Sequence, residues 1–179
     1  MTPEDAVTLL KPAIESTGGT WADLGAGEGT FTRALAELLG PTSRIYAVDR
    51  DADAVAALKR LAAATAAKVS PVMGDFALRF DPPGSAPLDG MLFANSLHYV
   101  RDAKAVLTRL VAWVKPGGRV ILVEYDRRMP NPWVPHPIPI SRVSDLSEAA
   151  GLTSAKVVAT RPSRYQGTMY VAVAERLKP

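Results

Sequence analysis

Three turns, each following a strand-like segment, carry residues suited to binding a nucleoside. Segment 23–29, Asp-Leu-Gly-Ala-Gly-Glu-Gly, is rich in glycines, which let a backbone turn sharply and lay bare amides against a ligand. Asp49 stands twenty residues after Gly29, a spacing at which a carboxylate accepts two hydrogen bonds from ribose hydroxyls. Segment 74–76, Gly-Asp-Phe, offers a carboxylate for an adenine amino group and an aromatic ring to cover the base. Together the three turns predict a nucleoside pocket.

These turns can meet only if the strands before them end at the same edge of a sheet, and the hydrophobic pattern predicts such a scaffold. Strand-like and helix-like periods alternate along the chain. The predicted strands are 20–24, 44–48, 68–73, 88–95, 120–123, 154–160 and 168–174. Helices are predicted over the apolar stripes 7–14, 31–39, 55–62, 106–114 and 141–150, and Lys115-Pro116-Gly117-Gly118 ends the fourth of them.

Local signals indicate how these elements are arranged. Pro71 cannot donate a ladder hydrogen bond, so its strand is predicted to lie at a sheet edge. Pro12 should kink or split the first helix. Only residues 161–167 separate the last two strands, too few for a crossover helix, so those strands should pair antiparallel. The predicted class is α/β: a Rossmann-like, seven-stranded, mostly parallel sheet with an antiparallel C-terminal hairpin and helices on both faces.

Composition excludes several kinds of site and partner. The 179 residues are predicted to form a single domain, 1–179, and the absence of cysteine excludes disulfides, thiolate metal sites and cysteine nucleophiles. Two histidines cannot build a histidine-rich cage, so no metal is expected. No apolar run reaches the roughly 20 residues of a membrane span, and the acidic start is unlike a signal peptide, which predicts a cytoplasmic protein without a membrane partner. The net charge of +3 is scattered, so no nucleic-acid partner is expected.

From about Trp21 to Tyr125 the chain resembles the class I S-adenosylmethionine-dependent methyltransferases. It looks closest to the broad group of small-molecule and quinone-pathway methyltransferases. The segments that carry the resemblance are Asp23-Leu24-Gly25-Ala26-Gly27-Glu28-Gly29-Thr30, Val48-Asp49, Gly74-Asp75-Phe76, Leu88-Asp89-Gly90 leading to Asn95-Ser96-Leu97-His98-Tyr99, and Leu110 followed by Lys115-Pro116-Gly117-Gly118-Arg119. The family's fold has the seven strands and reversed hairpin that the hydrophobic pattern predicts. The resemblance therefore implies methyl transfer from S-adenosylmethionine to a small organic acceptor.

The resemblance also implies which residues bind the cofactor. Asp23 would lie near the cofactor's amino group, Asp49 on the ribose, and Asn95 beside the methyl group. Arg50 replaces the apolar residue often found after the ribose acid, although a guanidinium plane can also stack on a base. The implied cofactor-binding residues are Asp23, Gly25, Ala26, Gly27, Gly29, Asp49, Arg50, Gly74, Asp75, Phe76 and Asn95.

A base and an acceptor site have weaker sequence signals. His98 follows the fourth strand at the same edge and is of the residue type that titrates near neutrality, so it is the candidate base; the alternative is a histidine packed at a strand end. The acceptor candidates are Tyr99 beside it and three residues of the proline-rich loop region, Tyr125, Trp133 and His136. Trp133 could instead cover the sheet edge.

Two further features leave alternatives open. Arg127-Arg128 could bind an anionic acceptor or form a solvated pair, and Tyr165 at the hairpin tip could reach the pocket or belong to a simple turn. A dinucleotide is the alternative cofactor, but it needs the longer Gly-x-Gly-x-x-Gly spacing and disfavours a Glu28 facing its phosphates. Methylation of RNA or protein, and a non-catalytic scaffold that binds the cofactor, are the alternative functions.

Overall fold

A computed structural model describes residues 1–84, 87–163 and 167–178, which form one seven-stranded sheet with helices around it. The predicted hairpin tip, Arg164-Tyr165-Gln166, lies outside the described residues. The strands are β1 Thr20–Leu24, β2 Arg44–Asp49, β3 Lys68–Met73, β4 Leu88–Ala94, β5 Val114–Tyr125, β6 Lys156–Pro162 and β7 Thr168–Glu175. The α-helices are α1 Pro3–Leu10, α2 Thr30–Leu39, α3 Ala52–Ala63, α4 Ala103–Val111 and α5 Ile140–Ala149.

The sheet has the order β3-β2-β1-β4-β5-β7-β6, which confirms the predicted fold class. The first five strands pair in parallel, and β7 pairs antiparallel with both β5 and β6. Because the chain runs outward from β1 to β3 and then returns to β4 on the other side of β1, the strand order reverses between β1 and β4. Ligands of doubly wound sheets bind beyond the carboxyl ends of strands at such a reversal.

Two prolines act as the sequence predicts, and side-chain caps fix the starts of two helices. Pro71 lies in β3, the edge strand, where its missing N–H removes no hydrogen bond from the interior of the sheet. Thr2 caps α1 by accepting from the Asp5 N–H, and Pro12 lies in a separate 3₁₀ turn, residues 11–13, that ends the helix. Asp51 caps α3, whose start therefore follows directly on β2.

The boundary between α4 and β5 differs from the prediction. The helix ends at Val111, and Val114 begins β5 by pairing with Leu88 of β4. Regular pairing resumes only at Gly90 with Arg119, so Lys115-Pro116-Gly117-Gly118 forms a bulge within the strand rather than the end of the helix. Gly117 has φ +76°, which explains why a glycine stands there.

Helices cover both faces of the sheet, as predicted. One core cluster joins the sheet to α1, α2 and α3 through residues such as Leu9, Leu35 and Leu58. The other joins it to α4 and α5 through residues such as Leu107 and Val143. Among the described residues, no helix is long and apolar enough to cross a membrane.

Candidate active site

A cleft of about 380 Å³ opens where the strand order reverses. It is bordered by the turns after β1, β2, β3 and β4, so the three turns singled out in the sequence meet there. All of the implied cofactor-binding residues except Asp23 and Gly29 line it. The full lining is Gly25, Ala26, Gly27, Asp49, Arg50, Gly74, Asp75, Phe76, Ala77, Ala94, Asn95, Ser96, Tyr99 and Val100.

The first glycine turn is held against β2 and β4. The N–H groups of Gly25 and Ala26 both donate to the Val48 carbonyl, at 2.9 and 3.0 Å. Gly25 has φ +78°, and a Cβ there would lie 2.5 Å from the Ser96 Cβ, so only glycine fits. A Cβ on Gly27 would meet nothing within 4 Å, which leaves open space above this part of the turn.

Gly29 allows two helices to pack closely. It is the N-cap residue of α2 with φ +90°, and a Cβ there would lie 2.5 Å from the Leu61 side chain of α3. The close approach of these two helices therefore requires a glycine. Gly29 is not among the residues that line the cleft. Its placement beside the cofactor, which the resemblance implies, stays a prediction.

Asp49 ties the first turn to the second. Its Oδ2 accepts from the Gly27 N–H at 2.7 Å, and its Oδ1 accepts from the Asp51 N–H at 2.9 Å. Each carboxylate oxygen has a second lone pair, so the side chain can still accept from two hydroxyls in the cleft. The spacing alone did not predict the bond to Gly27, because that bond depends on how closely β1 and β2 are packed.

Two buried side-chain oxygens near the turns have no hydrogen-bond partner among the described residues, Asp23 Oδ1 and Asn95 Oδ1. Asp23 is fully buried at the end of β1, and its other oxygen accepts from the Thr32 hydroxyl at 2.6 Å. Burial raises the pKa of Asp23 to about 7; the Thr32 hydrogen bond opposes this shift and the nearby Asp49 charge adds to it. A cation close to such a buried carboxyl group would stabilise its ionised form.

Asn95 is the only described non-glycine residue with a positive φ, +54°. Its N–H donates to the Val123 carbonyl at 2.8 Å, which joins the end of β4 to β5. A left-handed conformation at an asparagine is tolerated at modest cost. The side-chain oxygen of this same asparagine is buried and has no hydrogen-bond partner among the described residues.

The third turn supplies one carboxylate and one aromatic ring. Asp75 Oδ1 accepts from the Ala77 N–H at 2.9 Å, and Oδ2 lies 3.4 Å from the exposed Arg50 guanidinium. The Phe76 ring packs edge-on against Phe93 in the core, with ring centroids 5.6 Å apart. The ring is thus fixed by the core and forms part of the cleft wall.

His98 lies in the core beside a carboxylate that sequence reasoning missed. Only 1% of His98 is exposed, and its Nδ1 lies 2.5 Å from Oε2 of the fully buried Glu124. The backbone N–H of His98 also donates to Glu124 Oε1, at 3.2 Å. An acid directly after the apolar run Val120–Val123 of β5 was the available signal, because a charge at the end of a buried strand needs a partner.

The acceptor candidates lie in different places. Tyr99 is 54% exposed and lines the cofactor cleft, with its ring centroid 4.5 Å from that of His98. Tyr125 and Asn95 line a neighbouring cavity of about 340 Å³. His136 lines a third cavity, of about 890 Å³. Trp133 is 73% exposed and lies outside these three cavities, so the structure does not bring it to the site.

A doubly wound sheet with acidic and glycine-bearing turns converging on a cleft at the strand reversal defines a Rossmann-like protein that binds a nucleoside-containing cofactor. Residues 22–120, more than half of the chain, match the family model described as "Methyltransferase domain". The chain belongs to this family and is a class I S-adenosylmethionine-dependent methyltransferase.

Comparison with curated proteins and solved structures is consistent with this family. Over 91 residues the chain is 34% identical to the ribosomal RNA small subunit methyltransferase H of Thermomicrobium roseum, but the match covers 49% of this chain and only 27% of that enzyme. An S-adenosylmethionine-dependent methyltransferase from Aquifex aeolicus superposes with a TM-score of 0.75 at 19% identity, covering 97% of this chain and 90% of that one. The Burkholderia thailandensis 1,6-didemethyltoxoflavin-N1-methyltransferase superposes with a TM-score of 0.74 at 22% identity, covering 98% and 78%. At these identities, the two structures show a shared fold.

Proposed function

We propose that this methyltransferase transfers a methyl group from S-adenosylmethionine to a small organic acceptor bound beside the cofactor cleft. The observation that carries the proposal is that two further cavities share wall residues with that cleft. Asn95 lines both the cleft and the 340 Å³ cavity, and Val100 lines both the cleft and the 890 Å³ cavity. Both volumes fall within the range of roughly 300–1,000 Å³ typical of small-molecule sites.

The side chains present fit this cofactor. Asp49 would accept from the ribose hydroxyls, and Asp75 from the adenine amino group. Asn95 Oδ1 belongs to a residue of the cleft wall and has no partner among the described residues, so it would accept from the amino group of the methionine part. Asp23 lies behind the cleft lining, and its implied contact with the same amino group stays a prediction. The cofactor supplies a sulfonium carbon that is already electrophilic.

With such a carbon, the main task of the protein is to hold the acceptor's nucleophile in line with the sulfur. Positioning of this kind supplies up to about 7–11 kcal/mol in ideal cases. A base is needed only if the acceptor loses a proton during attack. His98 stays the predicted base, but its burial and its contact with Glu124 favour a role in holding the end of β4, next to Tyr99.

RNA methylation is a second candidate, because the chain shares 34% identity with part of a ribosomal RNA methyltransferase. The charge distribution argues against it. The chain has only three more basic than acidic residues, and its basic residues are scattered along the sequence rather than gathered in a run. Tritium from methyl-labelled S-adenosylmethionine should accordingly enter a small-molecule fraction and not added RNA.

Calorimetric titration tests the cofactor assignments. The wild-type protein should bind S-adenosylmethionine and not NAD. Asp49→Ala removes two charge-assisted hydrogen bonds to the ribose, worth ~1.5–3 kcal/mol each, so binding should weaken by roughly 100-fold or more. Asp81→Ala, at an exposed loop carboxylate outside the cleft, serves as the matched control. Unchanged affinity in a folded Asp49→Ala protein would remove the ribose assignment.

A further inference from the structure

A cavity lined by several prolines lies beside the cofactor cleft. We call it the proline basin; its volume is about 890 Å³. The basin lies between the start of α4, the loop after β5 and the helix α5. Its lining residues are Val100, Arg101, Asp102, Ala103, Lys104, Arg128, Pro130, Pro135, His136, Pro137, Ile138, Pro139, Ser141, Arg142, Asp145, Leu146 and Ala149.

Positive charge is concentrated around the proline basin. Four cationic side chains line it, against two carboxylates, and one of those carboxylates, Asp102, is engaged in capping α4 through the Ala105 N–H. Within residues 1–84, 87–163 and 167–178, none of the four cations forms an ion pair. The four are Arg101, Lys104, Arg128 and Arg142. Their donors are therefore available to an anion that enters the basin.

The wall of the proline basin is held in place without a ligand. The His136 N–H donates to the His98 carbonyl at 3.0 Å, which ties the loop to the end of β4. The Tyr170 hydroxyl donates to the Ile138 carbonyl at 2.7 Å, and the Ile140 N–H donates to Asp126 Oδ1 at 3.0 Å. Fixed proline φ angles further reduce the freedom of the loop. A site formed in advance loses less entropy when a ligand binds.

The basin adjoins the cofactor cleft and shares one wall residue with it. Val100 lines both the proline basin and the cofactor cleft, and its neighbours divide between them: Tyr99 lines the cleft and Arg101 lines the basin. In the arrangement inferred below, a molecule bound in the basin would extend past Val100 toward the cofactor. Its apolar body would contact the prolines, Ile138 and Leu146.

We infer that the methyl acceptor is an organic anion whose carboxylate or phosphate group binds among Arg101, Arg128 and Arg142 of the proline basin. This assignment rests on the proposed function. A planar guanidinium can donate two parallel hydrogen bonds to either group, which explains a preference for arginine over lysine. In the transfer, a lone pair of the acceptor forms the new bond to the methyl carbon, and the electron pair of the broken bond stays on sulfur. The acceptor's proton, where it has one, passes to water.

A small anion fits better than an RNA phosphate backbone. The cations line one walled cavity of small-molecule size, whereas a nucleic-acid site needs a basic stripe that follows the strand. The prolines and Leu146 also provide apolar contacts that a phosphate backbone would not use.

Binding of model compounds tests the charge preference. Protein loaded with S-adenosylhomocysteine is titrated with 4-hydroxybenzoate, phenyl phosphate and neutral 4-hydroxybenzamide. At least one anion should bind tenfold or more tightly than the amide, and the tighter of the two identifies a carboxylate or a phosphate as the favoured group. The double variant Arg128→Gln/Arg142→Gln should lose this preference, whereas Arg60→Gln, on the exposed side of α3, should keep it. Equal binding of all three compounds, or an unchanged preference in the double variant, overturns the inference.

A second measurement separates this inference from the proposed function. Methyl-tritiated S-adenosylmethionine is incubated with the protein and a small-molecule extract, and the labelled product is applied to an anion exchanger at neutral pH. Retained label supports the inference. Label that passes through unretained overturns the anionic acceptor but keeps methylation of a small molecule. Label that appears only in RNA or protein added in parallel overturns the proposed function, and the inference with it.

Discussion

Replacing Asp23 with asparagine should stabilise the cofactor-free protein above neutral pH while weakening its affinity for S-adenosylmethionine. Asp23 is fully buried, one of its oxygens has no partner among the described residues, and burial raises its pKa from 3.8 to about 7. Above that pH the folded chain must hold an uncompensated buried charge. The Asp23→Asn substitution removes the charge and keeps an oxygen for the Thr32 hydroxyl.

The size of the effect follows from linkage between protonation and folding. Between pH 3.8 and about 7 the folded state binds more protons at Asp23 than the unfolded state, so the free energy of unfolding falls as the pH rises. The full loss is about 4 kcal/mol, at 1.36 kcal/mol for each unit of pKa difference. About 3 kcal/mol of this loss in the free energy of unfolding falls between about pH 5 and about pH 8.

Urea unfolding of both proteins at these two pH values measures the effect. The other titrating groups are shared, so the change in the stability difference between wild type and variant isolates Asp23. Any offset caused by the new amide is the same at both pH values and cancels. Asp81→Asn, at an exposed carboxylate, should show no such change. A stability difference that does not vary with pH would refute the buried-charge explanation, and equal cofactor affinity would refute the role of Asp23 in binding.

Two further substitutions test the packing beneath the site. Gly25→Ala should lower the melting temperature and abolish cofactor binding, because its Cβ would lie 2.5 Å from Ser96. In Gly27→Ala the new Cβ meets no atom within 4 Å, so this variant should lose only the ~1–2 kcal/mol of stability that the strain of a positive φ costs. Equal melting temperatures of the two variants would contradict this reasoning. Glu124→Gln removes the charge of the buried partner of His98 and should destabilise the fold by up to ~3–5 kcal/mol, measured by chemical unfolding. If His98→Gln keeps full turnover at every pH, a base role for His98 is excluded.

Much of the architecture could be read from local patterns. Apolar periodicity located all seven strands, and the proline in β3 placed that strand at the edge of the sheet. These features depend on residues close together in sequence, where backbone sterics and the period of side-chain burial act directly. The predicted end of α4 was wrong because Val114 fits the apolar stripe of that helix. Only the pairing of Val114 with Leu88 makes it part of β5.

The candidate site divides in the same way. The sequence by itself determined the three turns, their glycines and their acids, because a doubly wound sheet brings the ends of consecutive strands to one edge. Only the tertiary structure decided that Asp49 bonds Gly27, that Glu124 lies against His98, and that Trp133 stays outside the cavities. Each of these depends on the packing distance between elements far apart in the chain, and no local pattern encodes that distance.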